Sequence, residues 1–172
     1  MPKILDKPRE SILGAAEEEL TNKGVNGFNI RDVAKRSGVA IGTIYNYYGN
    51  KFNLVNSVLS SLWAKHLAKA TSMVQPGDPV GAVLALYDAV ERFEETEKET
   101  ICAIREAGSF FGDGEFENES IRRDIAEAIV PALADNVMRG ADLILAELVV
   151  FAAIEKKLPL EELKKATAKI VA

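Results

Sequence analysis

The chain has 172 residues, enough to bury a sizeable core in one domain or in a small domain joined to a medium one. It is 48% apolar and 27% charged, the balance of an ordinary globular protein, and its single Cys102 rules out an intrachain disulfide. The formal net charge of −5 is unevenly spread: residues 1–51 hold eight basic groups against six acids, and the rest nets −7. A mildly basic head on an acidic body suits a chain that meets a polyanion with one end only. Residues 1–10 lack the apolar segment of a signal peptide. The longest apolar run, 143–154, is too short to span a bilayer. No membrane partner is therefore expected, and the cytoplasm is the expected compartment.

Taken in order, the pattern is helical throughout. Asp6 is placed to cap a first helix with Pro8 in its first turn; Ile12, Leu13, Ala16 and Leu20 form its apolar stripe, and Gly24 is the expected stop. Asn26-Gly27 reads as a turn. Asn29 reads as the cap of a two-turn helix over 30–37, with Phe28 and Val33 at the spacing of a hydrophobic staple and Asp32 in the first turn. Ala34 is small enough for a close helix crossing, and Gly38 suits a left-handed turn. Val33, Val39, Ile44 and Tyr47 are spaced to fill the wedge beneath a third helix over 40–48. Gly49 ends it, and Asn50 caps a long fourth helix from Lys51 to about Gln75, whose apolar sector holds Val55, Leu59, Leu62, His66 and Met73, widened by Leu54, Val58 and Trp63.

Beyond Pro79 the spacing predicts helices over 80–98 (Val83, Leu84, Leu86, Tyr87, Val90, Phe93), 99–111 (Ile101, Ile104, Phe110), from Glu119 to a break at Pro131 (Ile121, Ile125, Ile129), 137–156, and from Pro159 to the end (Leu160, Leu163, Ile170). Gly112-Asp-Gly-Glu is expected as a loop. No segment shows a strand period. The fold class is therefore all-α: an N-terminal three-helix head over 1–50, then a helical bundle over 51–172.

Two short helices meeting at Gly38 fit a helix-turn-helix, the unit that sets its second helix in the DNA major groove. The same geometry also suits a simple corner in a helical core. The composition of the third helix separates the two, since Thr43, Tyr45, Asn46 and Tyr47 crowd hydroxyl and amide groups into a turn and a half. Such groups bind phosphate oxygens and base edges. Gly42 costs about 1 kcal/mol of helix propensity, and close approach to another backbone would account for it. The amides that start the fourth helix, with Lys51, form a ready anion site.

The stretch Asn29-Ile-Arg-Asp-Val-Ala-Lys-Arg-Ser-Gly-Val-Ala-Ile-Gly-Thr-Ile-Tyr-Asn-Tyr-Tyr-Gly-Asn-Lys51, with Leu54, resembles the signature of the TetR family of bacterial and archaeal transcriptional regulators. The resemblance covers about residues 8–62. It implies phosphate contacts by Thr43, Tyr45, Tyr47 and Lys51, and a backbone or base contact by Arg31. It also implies sequence reading by Ala40, Ile41, Gly42 and Asn46, and packing by Ile44 and Tyr48. Asn29 stands where the family usually has Thr, and Ala40-Ile41 where Ser and a polar or basic residue are common. Apolar contacts of the thymine-methyl kind are therefore expected at those two positions.

The resemblance further implies a homodimer on a palindromic double-stranded DNA operator, formed through the last two helices, with Val149, Val150, Phe151, Ile154, Leu163 and Ile170 at the interface. It implies a small-molecule effector held among Trp63, His66, Tyr87, Arg92, Phe93, Cys102 and Arg105, whose binding releases a repressor. No nucleophile, acid–base pair or metal-ligand spacing stands out, so neither enzyme activity nor a metal or cofactor is expected. The alternative is a helical ligand-binding or scaffold protein whose helix-turn-helix does not engage DNA; the acidic charge and Ala40-Ile41 favour it.

Overall fold

The computed structural model of the protein describes residues 7–108, 116–135 and 137–172, with the side chains of all of these except 104–108 and 116–119. Among the described residues the fold is all-helical: α1 (Pro8–Gly27), α2 (Ile30–Ser37), α3 (Ile41–Tyr48), α4 (Lys51–Thr71), α5 (Pro79–Thr96), α6 (Lys98–Gly108), α7 (Phe116–Ile129), α8 (Ala141–Ala153) and α9 (Leu160–Ile170). The chain forms two compact units, Met1–Leu62 with Glu99–Ala107, and Trp63–Lys98 with Gly108–Ala172.

In the first unit α1 is the frame. Pro8 opens it with Lys7 at the cap position; the expected cap, Asp6, lies outside the described residues. Ile12, Ala16 and Leu20 are buried along one stripe. Gly24, with φ 62° and ψ 179°, breaks the regular helix where a stop is expected. The chain then regains helical geometry to Gly27, so the Asn26-Gly27 turn is the ragged end of α1. Asn29 caps α2 by accepting the Arg31 N–H at 2.9 Å, and the staple pair Phe28 and Val33 is buried. Gly38 takes the left-handed conformation at φ 71° that turns the chain into α3.

α3 buries Ile44 and Tyr48, which lie four apart on one face. Tyr47, expected in the wedge, is turned away and 48% exposed. The Tyr48 hydroxyl donates to the Arg9 carbonyl at 3.3 Å and the Ser11 hydroxyl to the Ser37 carbonyl at 3.1 Å, so α1 holds the ends of both short helices. Asn50 caps α4 through the Asn53 N–H at 2.8 Å. Leu54, Val55, Val58 and Leu59 are buried and belong to this unit, which therefore extends past the expected boundary at residue 50. Each such aliphatic side chain contributes about 1.5–3 kcal/mol by leaving water.

In the second unit α5 and α7 flank α8, and α9 packs on α5 and α8. Trp63, in the second half of α4, is buried and donates its indole N–H to Asp124 of α7 at 2.9 Å. α4 ends at Thr71, four residues before the expected Gln75, because Met73 and Val74 bond back only three residues, to Ala70 and Thr71, and tighten the chain out of the helix. Met73 is thus off the helical sector and 50% exposed. Asp78 caps α5 by accepting the Gly81 N–H at 2.9 Å. Val83, Leu86, Val90 and Phe93 are buried as expected, with Leu84 and Tyr87 half-buried. α7 begins at Phe116, three residues before the expected Glu119, and Pro131 ends it in a single 3-10 turn.

α8 is shorter than the expected 137–156. Gly140, left-handed at φ 84°, precludes an earlier start, and Lys156 at φ 54° lies in the reversal beyond its end. The expected loop at 112–115 lies outside the described residues, as do the side chains of Ile104 and Phe110.

Candidate nucleic-acid interface and effector cleft

The outer face of α3 is populated by side chains that a core would have absorbed. Ile41 and Tyr45 are 39% and 47% exposed on one flank of the helix, and Tyr47 is 48% exposed on the other. Ala40, Gly42 and Asn46 are also exposed, while Thr43 is half-buried. Because Ile44 and Tyr48 pin the inner face, these groups are presented on a fixed backbone. Large apolar and phenolic side chains held rigidly in water mark an interaction surface. α3 has no side-chain cap at Ala40, and the Thr43 amide bonds back to the Ala40 carbonyl at 2.9 Å. A Cβ built on Gly42 meets nothing within 4 Å, so no neighbouring backbone of this chain explains that glycine.

A crevice of about 430 Å³ lies beside this face, lined by Asn29 and Arg31 at the start of α2, Ile41 and Tyr45 of α3, and Lys51 at the start of α4. Arg31 is exposed. Lys51 is half-buried: its ammonium donates to the Val25 carbonyl at 2.9 Å and sits 5.7 Å from the Phe28 ring centre. The structure therefore gives Lys51 a task that the sequence does not reveal, tying α4 to the end of α1. Of the nine expected DNA-contacting residues, Arg31, Ile41, Tyr45 and Lys51 line this crevice, and Ala40, Gly42, Thr43, Asn46 and Tyr47 lie in or just before α3 outside it.

The expected effector residues are only partly brought together. A cleft of about 370 Å³ between α4 and α5 is lined by Lys65, His66 and Lys69 on one side, by Ala85, Asp88, Ala89 and Arg92 on the other, and by Ala70 and Met73. Of the expected residues, His66 and Arg92 line it. Trp63 and Phe93 are buried, their rings 5.6 Å apart, and His66 meets the Phe93 ring edge-on at 5.8 Å. Burial, with the positive charges of Lys69 and Arg92, holds the His66 imidazole below its ordinary value of 6.5. Arg92 is paired with Asp88 at 2.7 Å. Tyr87 does not line the cleft; burial and a hydrogen bond with Glu91 push its phenol up to about 12. Cys102 is exposed on α6, which belongs to the first unit, and the Arg105 side chain lies outside the described residues.

The expected dimer residues divide in the same way. Val149, Val150 and Leu163 have no accessible surface, being packed inside their own chain, and so present nothing to a partner. Phe151, Ile154 and Ile170 are half-buried. The apolar groups that α8 leaves in water are Leu143 and Ile144, at 63% and 40% exposed. They precede the apolar run's core by one turn and share the outer side of α8 with Phe151.

Sequence reasoning missed one group altogether. Glu19 is completely buried in α1, with Oε1 2.7 Å from the Lys23 ammonium and Oε2 3.8 Å from the Arg36 guanidinium. A signal was there: Glu19 stands seven residues after Ile12 and three after Ala16, on the apolar stripe itself. Glu17-Glu18-Glu19 reads as a solvated run unless that register is applied.

Comparison with known proteins places these features. Residues 12–58 match the model of the family described as bacterial regulatory proteins, tetR family. The HTH-type transcriptional regulator TtgR of Pseudomonas putida is 36% identical over 80 residues, 45% of this chain and 38% of that regulator. An HTH-type transcriptional repressor of Mycobacterium tuberculosis is 31% identical over 90 residues, 52% of this chain and 47% of that one. The matches thus span less than half the length of either relative. Among solved structures, the TetR family repressor AlkX from Dietzia sp. superposes with a TM-score of 0.61 at 19% identity, over 95% of this chain and 93% of that one. A TetR-family regulator from Streptomyces coelicolor does so with 0.57 at 19% identity, over 96% and 94%. Residues 12–58 therefore match the domain of bacterial regulatory proteins of the tetR family, and the helical chain as a whole shares the fold of these solved structures.

Proposed function

We propose that the protein is a sequence-specific DNA-binding transcriptional regulator, a homodimeric repressor released by a small-molecule effector. The observation that carries this reading is the outer face of α3, where Ile41, Tyr45 and Tyr47 are exposed on a helix anchored from beneath by Ile44 and Tyr48. Arg31, Thr43, Tyr45 and Tyr47 would hold phosphates, and Ala40, Ile41, Gly42 and Asn46 would meet base edges. A dimer would set two such helices in successive major grooves, about 34–36 Å apart, on a palindromic site. The outer side of α8, with Leu143 and Ile144, supplies apolar surface for that dimer. The cleft lined by His66 and Arg92 is the effector site this reading assigns, and its floor of Ala70, Ala85 and Ala89 suits a partly apolar molecule.

The test is selection of bound fragments from a random double-stranded DNA pool, followed by titration at rising salt. The expected result is a palindromic site whose affinity falls about tenfold between 50 and 200 mM salt, as the two Arg31 phosphate contacts of a dimer require. Recovery of no preferred sequence, or affinity indifferent to salt, would reject the reading in favour of a helical ligand-binding protein that leaves DNA alone.

A further inference from the structure

We propose that Glu19 is a positioning residue for DNA reading: it fixes the register of α2 on α1, and through α2 the presentation of α3. The inference rests on the reading of the chain as a DNA-binding regulator. Its basis is an alternating array of charges that crosses between the two helices. Asp32 meets Lys23 at 2.8 Å, Lys23 meets Glu19 at 2.7 Å, Glu19 meets Arg36 at 3.8 Å, and Arg36 meets Glu18 at 2.6 Å. Glu18, Glu19 and Lys23 belong to α1; Asp32 and Arg36 stand in the first and last turns of α2. Glu19 is the central member and the one with no accessible surface.

A buried carboxylate in this setting does not add stability. The close donor to Glu19 is the Lys23 ammonium, and its hold on Arg36 at 3.8 Å rests on charge and reach alone. Replacing a buried ion pair by an apolar side chain is commonly neutral or stabilising. A leucine at this place would continue the stripe of Ile12, Ala16 and Leu20. What an apolar side chain cannot do is choose one register. Lys23 draws the first turn of α2 toward Glu19 through Asp32, and Arg36 draws the last turn directly, so a shift or rotation of α2 breaks the array at one end. The orientation passes to α3 through the fixed turn at Gly38 and the packing of Ile44 and Tyr48. Lys23 and Arg36 are half-exposed and keep their outer acids if Glu19 is removed, so the loss falls on register and leaves no buried orphan cation.

The experiment uses the full chain with Glu19→Leu and Glu19→Gln. Three quantities are compared with wild type: thermal midpoint, amide exchange across 30–48, and affinity for the DNA that the wild-type chain selects, at low and high salt. Glu19→Leu is expected to melt at or above wild type while binding about tenfold more weakly, a loss the size of one mismatched base pair. Exchange in α2 and α3 rises, and the salt slope stays unchanged because no phosphate contact is removed. Glu19→Gln, which keeps the shape and loses the charge, reproduces the fall in affinity and decides the matter if the leucine variant does not fold. Affinity within about twofold of wild type overturns the proposal, as does a loss of affinity that simply follows a lowered melting point in both variants. If wild type selects no DNA, the regulator reading fails separately. The exchange measurement then decides, and unchanged exchange over 30–48 overturns the positioning role.

Discussion

Gly42→Ala separates what α3 needs for its own stability from what it needs for a partner. Gly42 is the second residue of α3, its φ is not in the left-handed region, and an added Cβ meets nothing within 4 Å. Within the chain the substitution is therefore free of clash and should stabilise α3 by about 0.5–1 kcal/mol, the ordinary difference between glycine and alanine in a helix. For a chain of this size that raises the melting midpoint by about 1–4 °C. If α3 lies in a groove, the same methyl group enters a filled contact between Tyr45 and Asn46, where one extra carbon costs about 1–3 kcal/mol. Affinity for the selected DNA should then fall about 5- to 150-fold. Gly14→Ala is the matched control: that glycine is exposed on α1 with nothing within 4 Å, so it should gain similar stability and leave DNA binding unchanged. Thermal melting followed by dichroism and a mobility-shift titration give both numbers. A stabilised Gly42→Ala chain that binds DNA as tightly as wild type would refute the placement of this helix face against a groove.

The chain's one histidine makes the cleft directly observable. Its proton resonances should titrate below 6.5, because burial first and then Lys69 and Arg92 disfavour the charged ring. The stability this contributes is present above pH 6.5 and lost as pH falls through the lowered value. Lys69→Ala should move the midpoint back up, and an anionic effector bound in the cleft should do the same. Leu143→Glu should leave the fold intact and weaken self-association. Burying one leucine per chain is worth about 1.5–3 kcal/mol, and it counts twice across a two-fold axis, so dissociation by sedimentation should shift by about two to four powers of ten. Ile44→Ala, at a fully buried place beneath α3, should cost about 2–5 kcal/mol in urea titration.

How far the sequence can be read depends on how many constraints act on each residue. Around Gly38 they are local: a cap needs an acceptor at Asn29, the turn needs a left-handed residue, and Ile44 must return four residues before Tyr48. Each of these is written in the order of the side chains, and the structure follows them closely. Tyr47 is the instructive exception, since spacing alone fits either Tyr47 or Tyr48 to the wedge, and helix rotation set by α1 decides between them. The ends of α4 and α8 are harder to read for the same reason. Their apolar runs continue past the points where Ser72-Met73 and Gly140 redirect the backbone. Glu19 and Lys51 show a further limit. A charged side chain reads as solvated or as a ligand for phosphate until tertiary packing buries it or turns its ammonium inward to the Val25 carbonyl. The dimer face is hard to read on a different ground, because a strongly apolar helix offers more candidates than it has outer positions. Val149 and Val150 are taken up by the chain's own core, which leaves Leu143 and Ile144 as the large apolar groups of α8 most open to a partner.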